Sequence, residues 1–563
     1  MSNIRSISTD RKSGRPTAVA HKLMEAFDVW KHNDRILNCR AAEGNQSLGT
    51  MSRFFCNHRC AQSGPSGRSL VHVTNEPGFA PMHPHQCATS STDRPVTWLL
   101  AYLLVTGLLY FLVTHVPMGP ARLVEPGIVD AHMPLLPFTL PLYLSYTLVM
   151  PVLVYMGRQS SWLLPVFFAG ALAAGLCLVS HLFWPTLILR PESGSAWLDW
   201  LYQLDAPLAA SPSGHVALPV AISVVMGGLR LRSAWVFALW SAVLMLTVMT
   251  TGQHVFTDMA CGVFIGLACG LTTLVLRRCA VDMRTLSALL LEWLCILVTI
   301  RVAIYLADWR FYLLAVLIVA ARQHALFVLY HDATHYHLTR QRSTNDFLIN
   351  LAIGVPGLVP IEFYRPLHLD HHQHAGTEQD PERRFLYYRQ PWQFRPLTAK
   401  LLARQLLGDL LLINTLRNIA AYKAAEGAPP ALTRPLISAA LVWLMIVAVL
   451  IWQCSAQTFG LVAMLWFLPL ITVGTLLQKI RSMAEHSGGP GVTPGWEEWT
   501  YAWRVGWLGR FFIWPYHINL HLQHHRTASI PWHALPSAVR AEEQLMASRS
   551  LASLMWSRLK QNY

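Results

Sequence analysis

Tyr364-Arg365-Pro366-Leu367-His368-Leu369-Asp370-His371-His372, with His374 two residues on, decides how this chain reads. It has two partners. His331-Asp332-Ala333-Thr334-His335 lies upstream, and His521-Leu522-Gln523-His524-His525 lies far downstream. Neutral imidazole is a common ligand for divalent first-row metals. Residues four apart on a helix share a face, so His331 and His335 can aim at one ion. In the two His-x-x-His-His boxes the first and second histidines, three apart, are expected to share a face, with the third turned toward a second ion. A centre for two metals needs about six to nine such nitrogens at one point, and the three boxes supply most of them. A lone histidine near the end of an apolar helix is normally an interfacial or hydrogen-bonded side chain. Three boxes in one half of a chain are not explained that way.

Composition says what surrounds these boxes. Of 563 residues, 53% are hydrophobic and only 13% charged, too apolar for an ordinary soluble protein. The net charge of +14 sits in short loops between apolar runs, as the positive-inside rule expects, and no aromatic-basic surface points to nucleic acid. Cys177, Cys261, Cys269, Cys295 and Cys454 lie in apolar segments as small core residues, and the cysteines form no disulfide pattern. Residues 1 to about 95 differ: they are polar and basic, rich in Ser, Gly, Pro and Arg, and read as a disordered tail rather than a signal peptide. An initiation codon assigned too far upstream would leave the same composition. Cys56, His58, Cys60, His83, His85 and Cys87 could hold zinc, but their irregular spacing favours an unstructured tail.

From Val96 onward come runs near the roughly 20 residues a membrane helix needs. The first half offers Val96 to Val113, Pro137 to Tyr155, Trp162 to Phe183, a short Val216 to Met226, Ala234 to Thr250 and Met259 to Val275. The second offers a hairpin, Leu286 to Leu306 and Phe311 to Tyr330, then Pro435 to Gln453 and Leu461 to Leu477. Phe347 to Pro360 is too short to span, and Phe385 to Glu426, with Leu401, Leu402, Leu406, Leu407, Leu410 and Leu411 at helical spacing, reads as amphipathic. With the N-terminus cytosolic, Arg158, Arg230, Arg232, Arg277, Arg278 and Arg284 all fall on the cytosolic side. The same count places Arg190, His215 and His254 outside and every histidine box inside. The spans hold almost no ionisable residues, which argues against a transporter.

Two histidines and an aspartate near helix ends in the first half suit phosphate chemistry. They sit in Ser211-Pro212-Ser213-Gly214-His215 and Thr251-Gly252-Gln253-His254, with Asp258 four residues on; Arg190-Pro191 and Asp205 precede them. One histidine can attack phosphorus, an aspartate four residues on in a helix can orient it, and the other can protonate the leaving oxygen. Amides at Ser213 and Gly214 can cradle phosphate at a helix start, although Ser-Pro-Ser-Gly is also a good turn and cap.

Together these motifs resemble the phosphatidic acid phosphatase superfamily, in particular its sphingolipid headgroup transferase branch, over roughly residues 96 to 278, within an expected domain of residues 96 to 280. The resemblance implies His254 as nucleophile, Asp258 as its orienter, His215 as general acid, and Arg190, Ser213 and Gly214 around the phosphate, with no cofactor. Two superfamily cations are replaced: Phe183 stands where a lysine precedes the Arg-Pro pair, and Thr247-Val248 where Ser-Arg is common.

The boxes, with Asp380-Pro381-Glu382, Arg481-Ser-Met-Ala-Glu485-His486 and Pro515-Tyr-His-Ile-Asn519, resemble the membrane fatty acid desaturases and their hydroxylase relatives over roughly Met283 to Pro536, within an expected domain of residues 283 to 563. That resemblance implies two non-haem irons on the cytosolic side, with His486 as a ninth ligand beside His331, His335, His368, His371, His372, His521, His524 and His525. Asn519 falls where the family often has a polar supporting residue. Asp380, Glu382 and Glu485 could orient histidines, an exposed pair with Arg383 or Arg384 being the plainer alternative. The implied reaction uses O2 to desaturate or hydroxylate an acyl chain. Neither a His-Pro-Gly-Gly haem signature nor clustered cysteines are present, so electrons are expected from an external ferredoxin or cytochrome.

The expected fold is thus an all-α multi-spanning membrane protein: a six-helix phosphatase-like bundle, then a four-helix desaturase-like membrane domain with a cytosolic histidine-rich cap. The expected function is a lipid desaturase of the bacterial inner membrane fused to a lipid phosphatase or headgroup phosphotransferase, acting on acyl chain and phosphorylated headgroup. A diiron lipid, alkane or carotenoid hydroxylase and a non-enzymatic metal-binding membrane protein stay open.

Overall fold

The computed structural model describes residues 95–115, 121–205, 208–375, 377, 379–381, 399–417, 432–486, 500 and 502–539. The expected tail and its cysteine–histidine group lie outside these residues, apart from Pro95, as do Glu382 and the ends of the amphipathic stretch. Among the described residues, eight helices are long and apolar enough to cross a membrane, and Gly214–Gly228 and Ala234–Thr250 are shorter apolar helices.

The first half begins with α1 (Pro95–His115). The run expected as one span from Pro137 is segmented: a 3₁₀ turn, α2 (Leu140–Leu144), a second 3₁₀ turn over Ser145–Leu148, and α3 (Val149–Gly157). Pro141 and Pro151 each fall in an opening turn, where a missing N–H costs no intrahelical bond, so the chain restarts there. Then come α4 (Leu163–Phe183), α5 (Ala196–Leu204), α6 (Gly214–Gly228), α7 (Ala234–Thr250) and α8 (Phe256–Arg278). One departure from an all-α fold is a short parallel pair, β1 (Arg122–Leu123) with β2 (Thr186–Leu187), just before Arg190.

α8 lies against α6 along Gly262, Gly266 and Gly270. A Cβ at Gly262 would stand 2.6 Å from the Ser213 carbonyl oxygen, and one at Gly266 2.6 Å from that of Ala217. One at Gly270 would stand 2.7 Å from Val224 Cβ. Glycine every fourth residue therefore lets two backbones touch. The contact brings Ser213 to the start of α8, where its amide donates to the Asp258 carbonyl at 3.1 Å.

In the second half, α9 (Met283–Leu306) and α10 (Trp309–Thr334) form a hairpin. The Asp282 and Asp308 carboxylates cap them, accepting from Thr285 N at 3.0 Å and Arg310 N at 2.8 Å. α11 (Arg342–Ile349) runs into a π turn over Asn350–Gly354, so the stretch too short to span folds back instead. α12 (Ile361–His374), α13 (Ala399–Leu410), α14 (Arg434–Gln453), α15 (Ala456–Ile471) and α16 (Val473–Glu485) follow, the last two broken at Thr472 after Pro469. α17 (Trp507–Phe512) and α18 (His521–Arg526) are the last α-helices of the described residues, followed by a 3₁₀ turn over Leu535–Ala538.

The two halves pack directly. Phe168 of α4 shares a core with Leu289, Ile296 and Ile300 of α9, and Leu182 packs beside Val298 and Val302. The junction is pinned by Asp282 N donating to Leu338 O at 2.8 Å and Thr339 Oγ1 to Cys279 O at 2.6 Å. His254 precedes the first turn of α8, whereas the junction bonded to Leu338, near His335, follows its last. A helix of 23 residues is about 34 Å long, so the phosphate motifs and the histidine boxes sit at opposite ends of it.

Gly266→Leu should destabilise the purified protein by about 1–3 kcal/mol or more through overpacking. A lowered melting temperature would register it, while Gly175→Leu, with open space around its Cβ, should melt like the parent.

Candidate metal centre and a second polar site

Helix ends deliver the imidazoles. His331 lies in the last turn of α10 and His335 caps it; α12 carries His368, His371 and His372; His486 caps α16; α18 carries His521, His524 and His525. They gather into two groups of four, His331, His368, His372 and His524 in one, His371, His486, His521 and His525 in the other. Within each group the ligand atoms lie within 4.8 Å of one another. His335 adjoins the first group, its Nε2 3.0 Å from His368 Nε2. All nine histidines singled out in the sequence therefore meet in one place.

The division within the boxes differs from expectation. First and third histidines go together, His368 with His372 and His521 with His525, while the middle one, His371 or His524, turns to the other group. The cause is helical pitch: four residues advance about 400° and three about 300°, so the outer pair is closer in azimuth.

The donor set fits metal ions. Two ligands roughly 2.1 Å from one ion stand about 3.0 Å apart when they meet at a right angle. His372 Nε2 is 3.0 Å from His368 Nε2 and 3.2 Å from His524 Nε2. His521 Nε2 is 2.9 Å from His486 Nε2 and 3.2 Å from His525 Nε2. Most neighbouring rings within a group are crossed, as His368 and His372 are at 85° and His371 and His486 at 82°, so their nitrogens converge on a point. His331 Nε2 is buried with no hydrogen-bond partner, a cost a bound ion would remove.

Acidic side chains orient the rings. Asp380 Oδ1 accepts from His371 Nδ1 at 2.9 Å, which leaves Nε2 for the centre. Glu485, fully buried, lies 3.8 Å from His521 Nε2 and 3.3 Å from Arg481 Nε, so its carboxylate faces the ligand side of that ring. The Asn519 amide donates to the Trp503 carbonyl at 2.8 Å, bracing the 3₁₀ turn before the third box. Sequence reading missed four further ties. Arg365 grips Asp346 through both its terminal nitrogens and donates to the Thr334 carbonyl at 3.0 Å, joining the first two boxes. Asp332 Oδ1 accepts from His337 Nδ1 at 2.7 Å and from Trp532 N at 3.2 Å.

The third tie corrects an expectation. Spans that read as nearly free of ionisable residues contain buried charges, and these are paired. Glu292 of α9 accepts from Arg322 of α10 at 3.1 and 3.2 Å and from the Tyr516 hydroxyl at 2.5 Å. Arg322 also bonds the Phe511 carbonyl and lies 4.0 Å over its ring. Just beyond the expected span Leu461 to Leu477, Lys479 of α16 pairs with Asp409 of α13. A charge inside an apolar run was the available signal.

Burial first, then the neighbouring cationic and imidazole groups, holds His368, His521, His524 and His525 well below the ordinary histidine range, and His335 down to about 2. These five imidazoles are therefore neutral and ready as ligands at neutral pH.

At the other end of α8, His215 Nδ1 lies 3.3 Å from His254 Nε2, and His254 Nδ1 lies 3.6 Å from Asp258 Oδ2. His254 stands before α8, which starts at Phe256, rather than on the same helix as Asp258 as the four-residue spacing suggested, and the Asp258 carboxylate also accepts from Val255 N at 3.3 Å across the first turn. Arg190 donates to Asp205 Oδ2 at 3.2 Å and to Gln253 Oε1 at 2.7 Å, next to His254. Ser213 Oγ and Gln253 Nε2 are buried without partners, two donors that suit an oxyanion. Ser213 caps α6 without a side-chain bond to the helix, and Gly214 begins it. The site residues named from sequence converge here, with Gln253 and Tyr143 added.

Residues 307–555, a span containing all nine histidines, match the family described as fatty acid desaturase. A stretch of 100 residues is 31% identical to an sn-1 acyl-lipid omega-3 desaturase (ferredoxin) from Nostoc sp. (strain 36). It covers 18% of this chain and 28% of that relative.

Unfolded histidines take up protons near pH 6.5, whereas these do so only at lower pH, so the unfolded state binds more protons below about 6.5 and stability falls as pH drops. Chelator-treated protein should melt progressively lower between about pH 7 and 5, and a His335→Gln/His368→Gln variant should show a shallower slope. Asp380→Asn should weaken metal retention by about 10–100-fold, read by metal analysis after dialysis against a chelator.

Proposed function

We propose that residues 283–563 form a membrane-bound acyl-lipid desaturase with two iron ions. The observation that carries this is the pair of four-imidazole groups, with His335 adjoining, inside the segment that matches the desaturase family. His331, His335, His368, His372 and His524 would hold one ion, and His371, His486, His521 and His525 the other. Bound there, iron would supply the O2 activation that removes two hydrogens from an acyl chain, with two external electrons and two protons completing reduction to two waters.

The chain's own residues fix the conditions for that chemistry. Asp380 sets the His371 tautomer, Arg365 locks the first two boxes together, and Tyr516 anchors the segment leading to the third. His331, His368, His371, His521 and His524 are nearly inaccessible to solvent, so bulk water is kept from the reacting centre. The site lies on the cytosolic face of a bacterial inner membrane, on the side of Arg277, Arg278 and Arg284, and takes electrons from a ferredoxin or cytochrome-type protein. The Nostoc relative's name, which includes ferredoxin, supports that donor class.

The line His215–His254–Asp258, flanked by Arg190, favours a second activity in residues 96–280: a lipid phosphatase or headgroup phosphotransferase on the opposite face. His254 Nε2 would attack phosphorus, Asp258 would hold Nδ1–H, and His215 would protonate the leaving oxygen. The Ser213 hydroxyl, its amide being taken by the Asp258 carbonyl rather than open to phosphate as the motif suggested, would receive the phosphoryl oxygens with donors at Gly214, Gln253 and Arg190, standing in for the cations absent at Phe183 and Val248.

Lipid mass spectrometry on a host expressing the intact protein, beside His371→Ala and His254→Ala, tests both readings. New acyl species two hydrogens lighter should vanish only with His371→Ala, and a headgroup change only with His254→Ala. A gain of one oxygen in place of the loss of hydrogen would identify a hydroxylase.

A further inference from the structure

We propose that Tyr143 is a positioning residue of the phosphoryl site, fixing which nitrogen of His215 exchanges protons with the substrate; this rests on the phosphatase-like reading of the first half. The Tyr143 hydroxyl lies 3.0 Å from His215 Nε2, and the opposite ring nitrogen, Nδ1, faces His254 Nε2 at 3.3 Å. Tyr143 and Tyr146 lie against the His215 ring with centroids 4.9 and 4.6 Å away. Tyr143 is 4% exposed and packs with Leu140, Leu201, Val216 and Val248. The ring therefore has little freedom to turn.

A hydroxyl both donates and accepts, so it suits Nε2 in either charge state. In the imidazolium form Nε2–H donates to the Tyr143 oxygen and Nδ1–H is the proton delivered. The His254 Nε2–phosphorus bond forms as the phosphorus–oxygen bond to the lipid alcohol breaks, and the alkoxide takes the Nδ1 proton. His215 is left neutral with Nε2–H still on Tyr143 and a lone pair on Nδ1. Water or an acceptor alcohol then attacks phosphorus, its proton passes to Nδ1, and the bond to His254 breaks. Both transfers use one nitrogen because the other is held.

The segmented span explains how the tyrosine reaches the site. The 3₁₀ turn over Ser145–Leu148 follows α2 directly and keeps Tyr143 and Tyr146 on the same side of the chain, against the first turn of α6. Phenylalanine keeps the packing and removes only the hydroxyl, so Tyr143→Phe is the informative variant.

The test compares wild type, His254→Ala and Tyr143→Phe, as full-length protein in detergent, on dioctanoyl phosphatidic acid and on 4-nitrophenyl phosphate. The first leaves as an alkoxide that needs a proton, the second as a stable nitrophenolate that does not. Tyr143→Phe should slow single-turnover cleavage of phosphatidic acid about tenfold or more, with KM within about twofold, as expected for impaired general acid catalysis. First-turnover release of nitrophenol should stay within about twofold of wild type. Parallel losses on both probes, or none on either, would overturn the proposal, since a structural tyrosine would not distinguish leaving groups. Wild type releasing no more product than His254→Ala from either probe would instead remove the phosphoryl reading itself, and the role of Tyr143 with it.

Discussion

Nine imidazoles packed within reach of one another can coexist only while they stay neutral and are held from outside. Buried cationic rings a few ångströms apart would repel strongly, and uncharged ones gain little by associating. The segments that carry them, the end of α10, α12, the end of α16 and α18, are therefore fastened by other groups. Arg365 joins the first two, bonding both Asp346 and the Thr334 carbonyl. Glu292 and Arg322 hold the chain at Phe511 and Tyr516, just before the third box. Lys479 with Asp409 seats α13 on the helix that ends at His486. Each tie is an ion pair or charge-assisted bond, strong where solvent is excluded and intolerant of losing one partner.

Much of this was legible in the chain. Helical runs follow from apolar length, and the boxes name their imidazoles because few residue types make a cluster of nitrogen ligands. Periodicity could not say which histidine of each box goes with which group, because that depends on how α12 and α18 are rotated against each other. Nor could it show that the run from Pro137 breaks, or that His254 stands before α8 rather than within it. Gly262, Gly266 and Gly270 carry a visible four-residue spacing, yet only the approach of α6 explains it. Tyr143 is one of 17 tyrosines, and nothing in its neighbourhood along the chain marks it; its partner, His215, lies 72 residues away.

The same glycine contact links packing to chemistry. It sets the start of α6 beside the start of α8, and so sets Ser213 and His215 beside His254 and Asp258. The far end of α8 leads into the junction that is bonded to Leu338. One helix thus spaces the two polar sites by its own length, and a core shared by α4 and α9 keeps the halves from hinging there.

The Glu292–Arg322 pair bears on how the chain enters a bilayer. Either charge alone, at the centre of a membrane helix, would oppose insertion by about 2.5–3.5 kcal/mol. α9 and α10 are consecutive and joined by a tight turn, so acid and base emerge from the ribosome within 30 residues of each other and can be handed to lipid as a neutral couple. Tyr516, made 224 residues after Glu292, arrives when that couple is already in place. The earliest-made helices of the second half thereby carry the docking point for its last-made ligand segment, and the order of synthesis matches the order in which the centre can close.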